Sequence, residues 1–295
     1  MTIFFRAQAP FLGWKSNPFF HKRCCPISEE LRKVVFRMIS RDQATAKLLE
    51  CERSLPQLYS KTAVDYRGRT ISLESVRDYL AHERERFLDV VSMWPEPPGS
   101  GAKLLDVGIA YGFIPVLLNQ VSGWECVGLE VGENIPIYCH LARAHNIPVH
   151  AGKLGVTPTP FLKETFQGIL FSEVLEHLRL SPHLVLRELH RLLVPDGYLL
   201  VTTPHFARLA NILKLLSGKN PLEGFPDVPT DNITEQLTHI REYTMLELKE
   251  LLQETGFRVQ KACYSSCMER GRPHGWITSL VPRWRGCLMV LARKI

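Results

Sequence analysis

The sequence has no long hydrophobic run, since no window approaches the roughly 18 consecutive apolar residues that a membrane-spanning helix needs. At its N-terminus it lacks a positively charged segment followed by a clean apolar core, so we expect no secretory signal. Its eight cysteines include no CxxC pair, and several lie in apolar runs. We therefore expect buried, reduced thiols in a cytoplasmic protein. We predict no metal site, because zinc would require a cluster formed only in three dimensions.

What the chain does contain is an ordinary composition for a folded protein, with 295 residues, 45% of them hydrophobic and 22% charged. That length suits one large domain, or a domain with an extension. The net charge of +6 is concentrated at the two ends: residues 1–70 carry 13 Lys and Arg against 6 Asp and Glu, and residues 256–295 carry 8 against 1. Two interpretations stay open. The basic ends contact an acidic partner, such as a phosphorylated substrate, a lipid surface or nucleic acid, or they simply aid solubility.

A loop-like segment, "PEPPGSGA" at 95–102, divides the chain into two parts. The hydrophobic pattern before it has helical spacing, whereas the pattern after it alternates between strands and helices. We therefore expect a basic, helical N-terminal extension over 1–100 and an α/β core over 101–295.

Two helices are predicted in the N-terminal part. Helical spacing predicts one over 27–50, with Ser28 as its N-cap, and another near 72–94. Ser72 would cap the second helix, but Ser75 stands where a capping box needs Glu or Gln. The start of that helix is therefore left open by the sequence.

From residue 103 onward the alternation of strand-like and helix-like segments is typical of a doubly wound parallel sheet. The segments "FRVQKACYS" and "GCLMVLARK" follow one another without a helix, so we expect a hairpin at one edge of the sheet. The last predicted helix begins at a capping box of Thr244 and Glu247 and ends before Gly256. We also predict a lid insertion over 206–243 after strand five; a helix packed only on the core is the alternative.

The turn in "LLDVGIAYG" indicates which ligand the core binds. A dinucleotide fingerprint needs G-x-G-x-x-G, but from Gly108 the chain has Ala110 and Phe113 in place of the later glycines. The G-K-[ST] ending of a phosphate-binding P-loop is also absent. Asp106 precedes the turn, which suits a positive charge, and Glu130 ends the next strand, where an acid accepts ribose hydroxyls. A ribose and a cation without phosphate favour S-adenosylmethionine.

Four motifs in the expected order extend this interpretation. The stretch 103–259 resembles a class I S-adenosylmethionine-dependent methyltransferase, and its last part resembles bacterial O-methyltransferases of ubiquinone biosynthesis and their relatives in glycan and natural-product pathways. The family fold is a Rossmann-like, doubly wound, seven-stranded sheet whose last strand is antiparallel. The resemblance is carried by "LLDVGIAYG", "VGLEV", "FSEVLEHL" with "LLVPDGYLLVTTPH", and "HIREYTMLELKELLQETGF".

The resemblance implies a set of cofactor-binding residues. Ser172 is expected near the amino group of the cofactor, through its backbone. The family often has an acid for the adenine amino group after the third strand, but this chain has Lys153 there, and lysine cannot accept that hydrogen bond. Adenine would then depend on the backbone at Leu154 and on apolar contacts. The implied set is Asp106, Gly108, Gly112, Glu130, Leu154 and Ser172.

Three histidines at the carboxyl edge of the sheet are candidates for a general base: His177, His205 and His239. Arg241 and Tyr243 precede the last helix and are candidates for substrate binding. Purely structural roles are the alternative for each of these residues. An oxygen acceptor needs a base to take its proton, whereas a neutral amine needs only alignment with the methyl group.

The acceptor class is narrowed by motifs that are absent. After the fourth strand there is no Asn/Asp-Pro-Pro-aromatic run, such as enzymes acting on adenine N6 or glutamine use, and no Pro-Cys pair for cytosine methylation. Since no RNA-binding module is recognisable either, a small-molecule, glycan or lipid-linked acceptor is favoured over nucleic acid. A nucleic-acid methyltransferase and a non-catalytic partner subunit that binds S-adenosylmethionine remain alternatives. The sequence does not determine the oligomeric state.

Overall fold

A computed structural model describes residues 39–65, 70–222, 239–265 and 275–295. Within these ranges, no helix has both the length and the hydrophobicity needed to cross a membrane. The α-helices are α1 (Arg41–Leu58), α2 (Leu73–Met93), α3 (Phe113–Ser122), α4 (Ile135–Tyr138), α5 (His140–Ala144), α6 (Pro182–Leu192), α7 (Leu209–Leu216), α8 (Met245–Glu254) and α9 (Gly275–Leu280). Short 3₁₀ helices cover Gly132–Asn134, Leu175–His177 and Pro282–Trp284.

The strands are β1 (Ala63–Val64), β2 (Thr70–Ile71), β3 (Lys103–Val107), β4 (Glu125–Glu130), β5 (Val149–Ala151), β6 (Phe166–Ser172), β7 (Leu193–Pro204), β8 (Phe257–Ser265) and β9 (Cys287–Lys294). Seven of them form one sheet in the order β5-β4-β3-β6-β7-β9-β8. Strands β3 to β7 are parallel, whereas β9 runs antiparallel to both β7 and β8. The predicted Rossmann-like sheet with its antiparallel last strand and edge hairpin is confirmed.

Two hydrophobic cores lie on opposite faces of this sheet. Leu104 and Leu105 are neighbours in β3 and both fully buried, but each belongs to a different core, because successive side chains of a strand point to opposite faces. Helices α1, α2, α3 and α5 cover the Leu104 face, and α6 and α8 cover the other. Burial on both faces explains why these parallel strands are continuous apolar runs in the sequence.

The segment between α1 and α2 contacts the sheet edge near α4. The Tyr59 hydroxyl donates a hydrogen bond of 2.7 Å to the Tyr138 carbonyl, and the Tyr138 hydroxyl donates one to the Asp65 carboxylate. The short β1–β2 pair therefore lies beside the carboxyl edge of the sheet. A division of the chain into 1–100 and 101–295 stays a prediction.

Capping boxes mark the starts of helices α2 and α8. At α2, Ser72 and Ser75 form a reciprocal capping box, in which the Ser75 hydroxyl accepts a hydrogen bond of 2.8 Å from the Ser72 amide. The expectation that the box needs Glu or Gln is corrected, because a serine hydroxyl performs the same function here. At α8, the predicted box of Thr244 and Glu247 is confirmed, and Gly256 follows with φ at +88°.

Two predicted helices have different bounds in the structure. Residues 27–38, including Ser28, lie outside the described part of the chain. Ile39 and Ser40 are not helical, and α1 begins after Ser40, whose hydroxyl accepts from the Gln43 amide. The sequence "NIPIYCHLARAHN" over 134–146 also predicts a helix, but the structure divides it at Cys139 into α4 and α5, and the Cys139 thiol contacts the Ala110 carbonyl at 3.3 Å.

Candidate active site

The loop after β3 turns sharply at the carboxyl edge of the sheet. Gly108 and Gly112 have left-handed backbone, with φ at +76° and +82°. A Cβ on Gly108 would lie 2.8 Å from Cγ2 of Val174, and one on Gly112 would lie 2.8 Å from Cβ of Ala142. Glycine is therefore required at both positions by conformation and by space.

Glu130, at the end of β4, holds this loop. Its Oε2 accepts a hydrogen bond of 2.9 Å from the Ala110 amide, and its Oε1 accepts from the Val131 amide and from Nδ2 of Asn134, each at 2.9 Å. A carboxylate has about four lone-pair sites, so three donors leave room for a ligand hydroxyl. In the described residues, the buried Oδ1 of Asn134 has no hydrogen-bond partner. Sequence analysis missed Asn134, although its position four residues after Glu130 could have indicated it.

Asp106 lies in β3, just before the loop, and is 4% exposed. Burial and, to a smaller extent, the charge of Glu130 raise its pKa against the opposing cation of Arg86, and the net value is about 8. A further cation near the Asp106 carboxyl would lower its pKa and favour the ionised form.

A cavity of about 880 Å³ opens beside the loop, within the size range of small-molecule sites. It is lined by residues of the β2–α2 segment, the β3 and β4 loops, the segment after β5 and the segment after β6. Of the predicted cofactor residues, Gly108, Glu130 and Leu154 line it, and Lys153 lies beside Leu154. In the described part of the chain, Asp106, Gly112 and Ser172 are not among the lining residues.

Ser172 ends β6 and meets a cation that sequence analysis missed. Its hydroxyl accepts a hydrogen bond of 2.7 Å from Arg86 and lies 2.8 Å from the Thr202 hydroxyl. Arg86 is 4% exposed, and its Nε also donates to Glu83 at 2.5 Å. Arg86 belongs to the charged run "HERER", which by itself indicates a solvated helix face.

The structure brings two of the three predicted histidines together. His177 ends the 3₁₀ helix after β6 and lines the cavity, and its ring centroid lies 5.1 Å from that of His239. Glu176, which precedes His177, is 1% exposed and accepts a hydrogen bond of 3.0 Å from the Thr203 hydroxyl. Burial and the nearby charge of Glu173 raise the pKa of Glu176 well above its ordinary value.

Glu242 contacts His239 through a side-chain hydrogen bond. Its Oε1 lies 3.0 Å from Nδ1 of His239, and its carboxylate also accepts from Arg208 at 2.5 and 3.0 Å and from Asn211 at 3.0 Å. Burial raises the pKa of Glu242, but hydrogen bonds from His239 and Arg208 outweigh it and bring the value to about 2. The carboxylate is therefore charged at neutral pH and orients the imidazole.

The other predicted site residues lie elsewhere. His205 is buried, and its Nδ1 lies 3.0 Å from the Arg285 carbonyl; burial lowers its pKa. Arg241 pairs with Glu247 at 2.9 Å on the surface, and Tyr243 is buried in the core beneath α8. These three residues are not among those that line the cavity in the described ranges.

The fold and site define an α/β protein in which a buried acid, Glu130, lines a cavity at the carboxyl edge of the sheet. A family model described as a methyltransferase domain matches residues 73–262, and the chain belongs to this family. No curated protein matches the chain significantly.

Solved structures share the fold. One is a chain of the complex between the Haloferax volcanii Trm112 methyltransferase activator and a methyltransferase, with 16% identity, a TM-score of 0.54, and coverage of 75% of this chain and 92% of that chain. Another is an S-adenosylmethionine-dependent methyltransferase of Thermotoga maritima, with 15% identity, a TM-score of 0.50, and coverage of 76% and 96%. The protein is a class I methyltransferase whose cofactor is S-adenosylmethionine.

Proposed function

We propose that this enzyme methylates a hydroxyl oxygen of a small molecule, or of the small headgroup of a glycan or lipid-linked acceptor. The observation that carries the proposal is the position of His177, which lies in the wall of the cofactor cavity with His239 and Glu242 behind it. A hydroxyl acceptor must lose its proton as its oxygen gains the methyl group, whereas a neutral amine has no such need. The His177 imidazole lies in the cavity wall beside His239, where it can take the proton of the acceptor hydroxyl.

The residues present fit the cofactor. Glu130 and the unpartnered Oδ1 of Asn134 are acceptors for the two ribose hydroxyls. Leu154 offers an apolar surface for adenine, and the buried Asp106 carboxyl lies in β3 just before the loop that lines the cavity. S-adenosylmethionine supplies an activated methyl group when it is bound, so the chain has only to align the acceptor and manage its proton.

The polar part of the cavity lining suits a small polar acceptor. Thr70, Ser75 and Tyr79 line it from the β2–α2 segment, and Glu173 and His177 line it from the segment after β6. The described lining holds two acids, Glu130 and Glu173, and two bases, Lys153 and Arg179, so it offers no continuous basic surface of the kind that a nucleic-acid backbone requires. The preference for small acceptors over nucleic acid therefore rests on the charges of this wall.

Transfer of tritium from methyl-labelled S-adenosylmethionine tests the proposal. The purified full-length chain is incubated with panels of phenols, catechols and monosaccharides, with matched amines, and with tRNA and DNA. We expect transfer to a hydroxylated compound. His177→Gln should lower turnover by roughly 10²–10⁴-fold, the usual range for acid–base catalysis, and leave the affinity for S-adenosylhomocysteine unchanged.

His183→Gln is the matched control, because His183 is a surface residue of α6 that pairs with Glu254. It should keep wild-type turnover. Transfer confined to amines or nucleic acid would contradict the hydroxyl acceptor. Cofactor binding with no transfer to any of these panels would instead favour a non-catalytic partner subunit.

A further inference from the structure

Three side chains beside the cavity have metal-binding chemistry, and one of them, His177, lines it. Glu176, His177 and His239 each offer one ligand atom, and these atoms all lie within 4.8 Å of one another. Nε2 of His177 is 3.9 Å from Oε1 of Glu176. Two ligands of a tetrahedral ion with bonds of about 2.0–2.1 Å are roughly 3.3 Å apart. Small side-chain rotations would therefore close this cluster around one ion.

The carboxylate of Glu176 lacks a partner on the side that faces the histidines. Its Oε2 accepts from the Thr203 hydroxyl at 3.0 Å, but its Oε1 is buried without a hydrogen-bond partner among the described residues. The residue is 1% exposed, so water does not readily replace the missing partner. An unsatisfied buried carboxylate oxygen is costly, and a bound cation would satisfy it.

His239 is held as metal-binding histidines usually are. Its Nδ1 lies 3.0 Å from the Glu242 carboxylate, which Arg208 and Asn211 fix in turn. A carboxylate on one ring nitrogen sets the orientation of the ring and leaves Nε2 as the nitrogen for a metal. Glu242 thus orients His239 toward the cluster.

The backbone also joins the two segments that supply the ligands. The Glu176 carbonyl accepts a hydrogen bond of 2.7 Å from the Ile240 amide, next to His239. The segment after β6 and the segment before α8 are therefore fixed relative to each other. Such preorganisation lowers the cost of gathering ligands around an ion.

We propose that Glu176, His177 and His239 bind a divalent transition-metal ion, such as zinc, in the wall of the cavity. Imidazole and carboxylate ligands suit zinc and its neighbours, and a set of two histidines and one carboxylate leaves a coordination position open. Because His177 lines the cavity, that position would face the acceptor. With its ring nitrogen on the ion, His177 would act through the ion instead of as a free base. The ion would lower the pKa of a coordinated hydroxyl, so in this respect the inference rests on the proposed hydroxyl acceptor.

Cobalt titration of the full-length chain tests the site without an acceptor. The protein is first dialysed against a chelator, and Co²⁺ binding is followed by visible absorption and by metal analysis. We expect one equivalent of Co²⁺, displaced by Zn²⁺. Glu176→Gln and His239→Ala should each weaken binding at least tenfold, and Glu242→Gln should weaken it by about 10–100-fold. His183→Gln should bind as the wild type does.

Circular dichroism and affinity for S-adenosylhomocysteine establish that each variant is folded. Absence of Co²⁺ and Zn²⁺ binding by the wild type would overturn the inference, as would equal binding by Glu176→Gln and His239→Ala. Methyl transfer that is unchanged after metal removal, without metal binding, would overturn the metal site and leave the proposed function intact. Metal binding at this cluster without methyl transfer to any hydroxylated compound would support the metal site and contradict the proposed function.

Discussion

The guanidinium of Arg86 on α2 donates a hydrogen bond of 2.7 Å to the hydroxyl of Ser172, 86 positions later in the chain at the end of β6. Arg86 is 4% exposed, and the charges of Glu173 and Glu83 surround its cation. A helix that precedes the α/β core therefore supplies a buried charge beside the segment after β6, which lines the cavity.

Arg86→Met should strongly destabilise the fold. It removes a buried cation and leaves acidic neighbours without it, a loss that typically costs about 3–5 kcal/mol. Urea unfolding at neutral pH measures the difference. Arg84→Met is the matched control, since Arg84 lies on the same helix but pairs with Glu52 near the surface, and such pairs contribute about 1 kcal/mol or less. Equal costs for the two substitutions would mean that the Arg86 contacts contribute little.

Glu130→Ala should weaken binding of S-adenosylhomocysteine at least tenfold, or about 1.4 kcal/mol, because a charged hydrogen bond to the ribose is lost. Calorimetry with the folded variant measures the affinity. Glu133→Gln, an exposed acid in the neighbouring 3₁₀ helix, serves as the control and should bind normally. An unchanged affinity of the Glu130 variant would contradict the ribose assignment.

Gly112→Ala should destabilise the protein more than Gly123→Ala does. Both glycines have left-handed backbone, with φ at +82° and +80°, so each substitution carries a conformational cost of about 1–2 kcal/mol. The new Cβ would approach Ala142 to 2.8 Å at Gly112, whereas no atom lies within 4 Å at Gly123. Overpacking should add about 1–3 kcal/mol at Gly112 alone. Chemical denaturation of the pair isolates this steric cost, and similar losses would show that the loop simply moves aside.

Asp106 should make stability fall as pH rises. Burial raises its pKa from an ordinary 3.8 to about 8. Between these values the folded protein keeps a proton that the unfolded chain releases, so the free energy of unfolding decreases by up to about 1.4 kcal/mol per pH unit. The contribution is complete below the unfolded pKa and is lost as pH rises through the folded pKa. Asp106→Asn should flatten the curve relative to the wild type.

Unfolding in urea at several values between about pH 5 and pH 8 measures this difference. Asp42→Asn is the control, because Asp42 is exposed in the first turn of α1. Parallel stability curves for the wild type and Asp106→Asn would show that Asp106 is already ionised in the folded protein.

Local sequence patterns were sufficient for most of the core. Thr244 and Glu247 form their capping box within one turn, and Gly256 ends the same helix. One local error concerned Ser75, where a hydroxyl takes the place of the expected carboxylate. Such features are predictable because the interacting groups are a few residues apart and depend little on the rest of the fold.

Long-range contacts could not be predicted in this way. Arg86 belongs to a charged run with helical spacing, and nothing in that run distinguishes it from its less buried neighbours. His205 and His177 both follow carboxyl ends of strands, yet His177 lines the cavity and His205 contacts the Arg285 carbonyl. The difference depends on how the β8–β9 hairpin covers the end of β7.

The sequence by itself determined the order of strands and helices, the glycine turn and the acid that follows it. Parallel strands joined by crossovers place their carboxyl ends at one edge, so the spacing of Asp106 and Glu130 was enough to indicate the cofactor. The tertiary structure decided that Arg86 reaches Ser172 and that His177 meets His239. Those pairs come from segments far apart in the chain, and their approach depends on how helices and loops pack around the sheet, which no local pattern encodes.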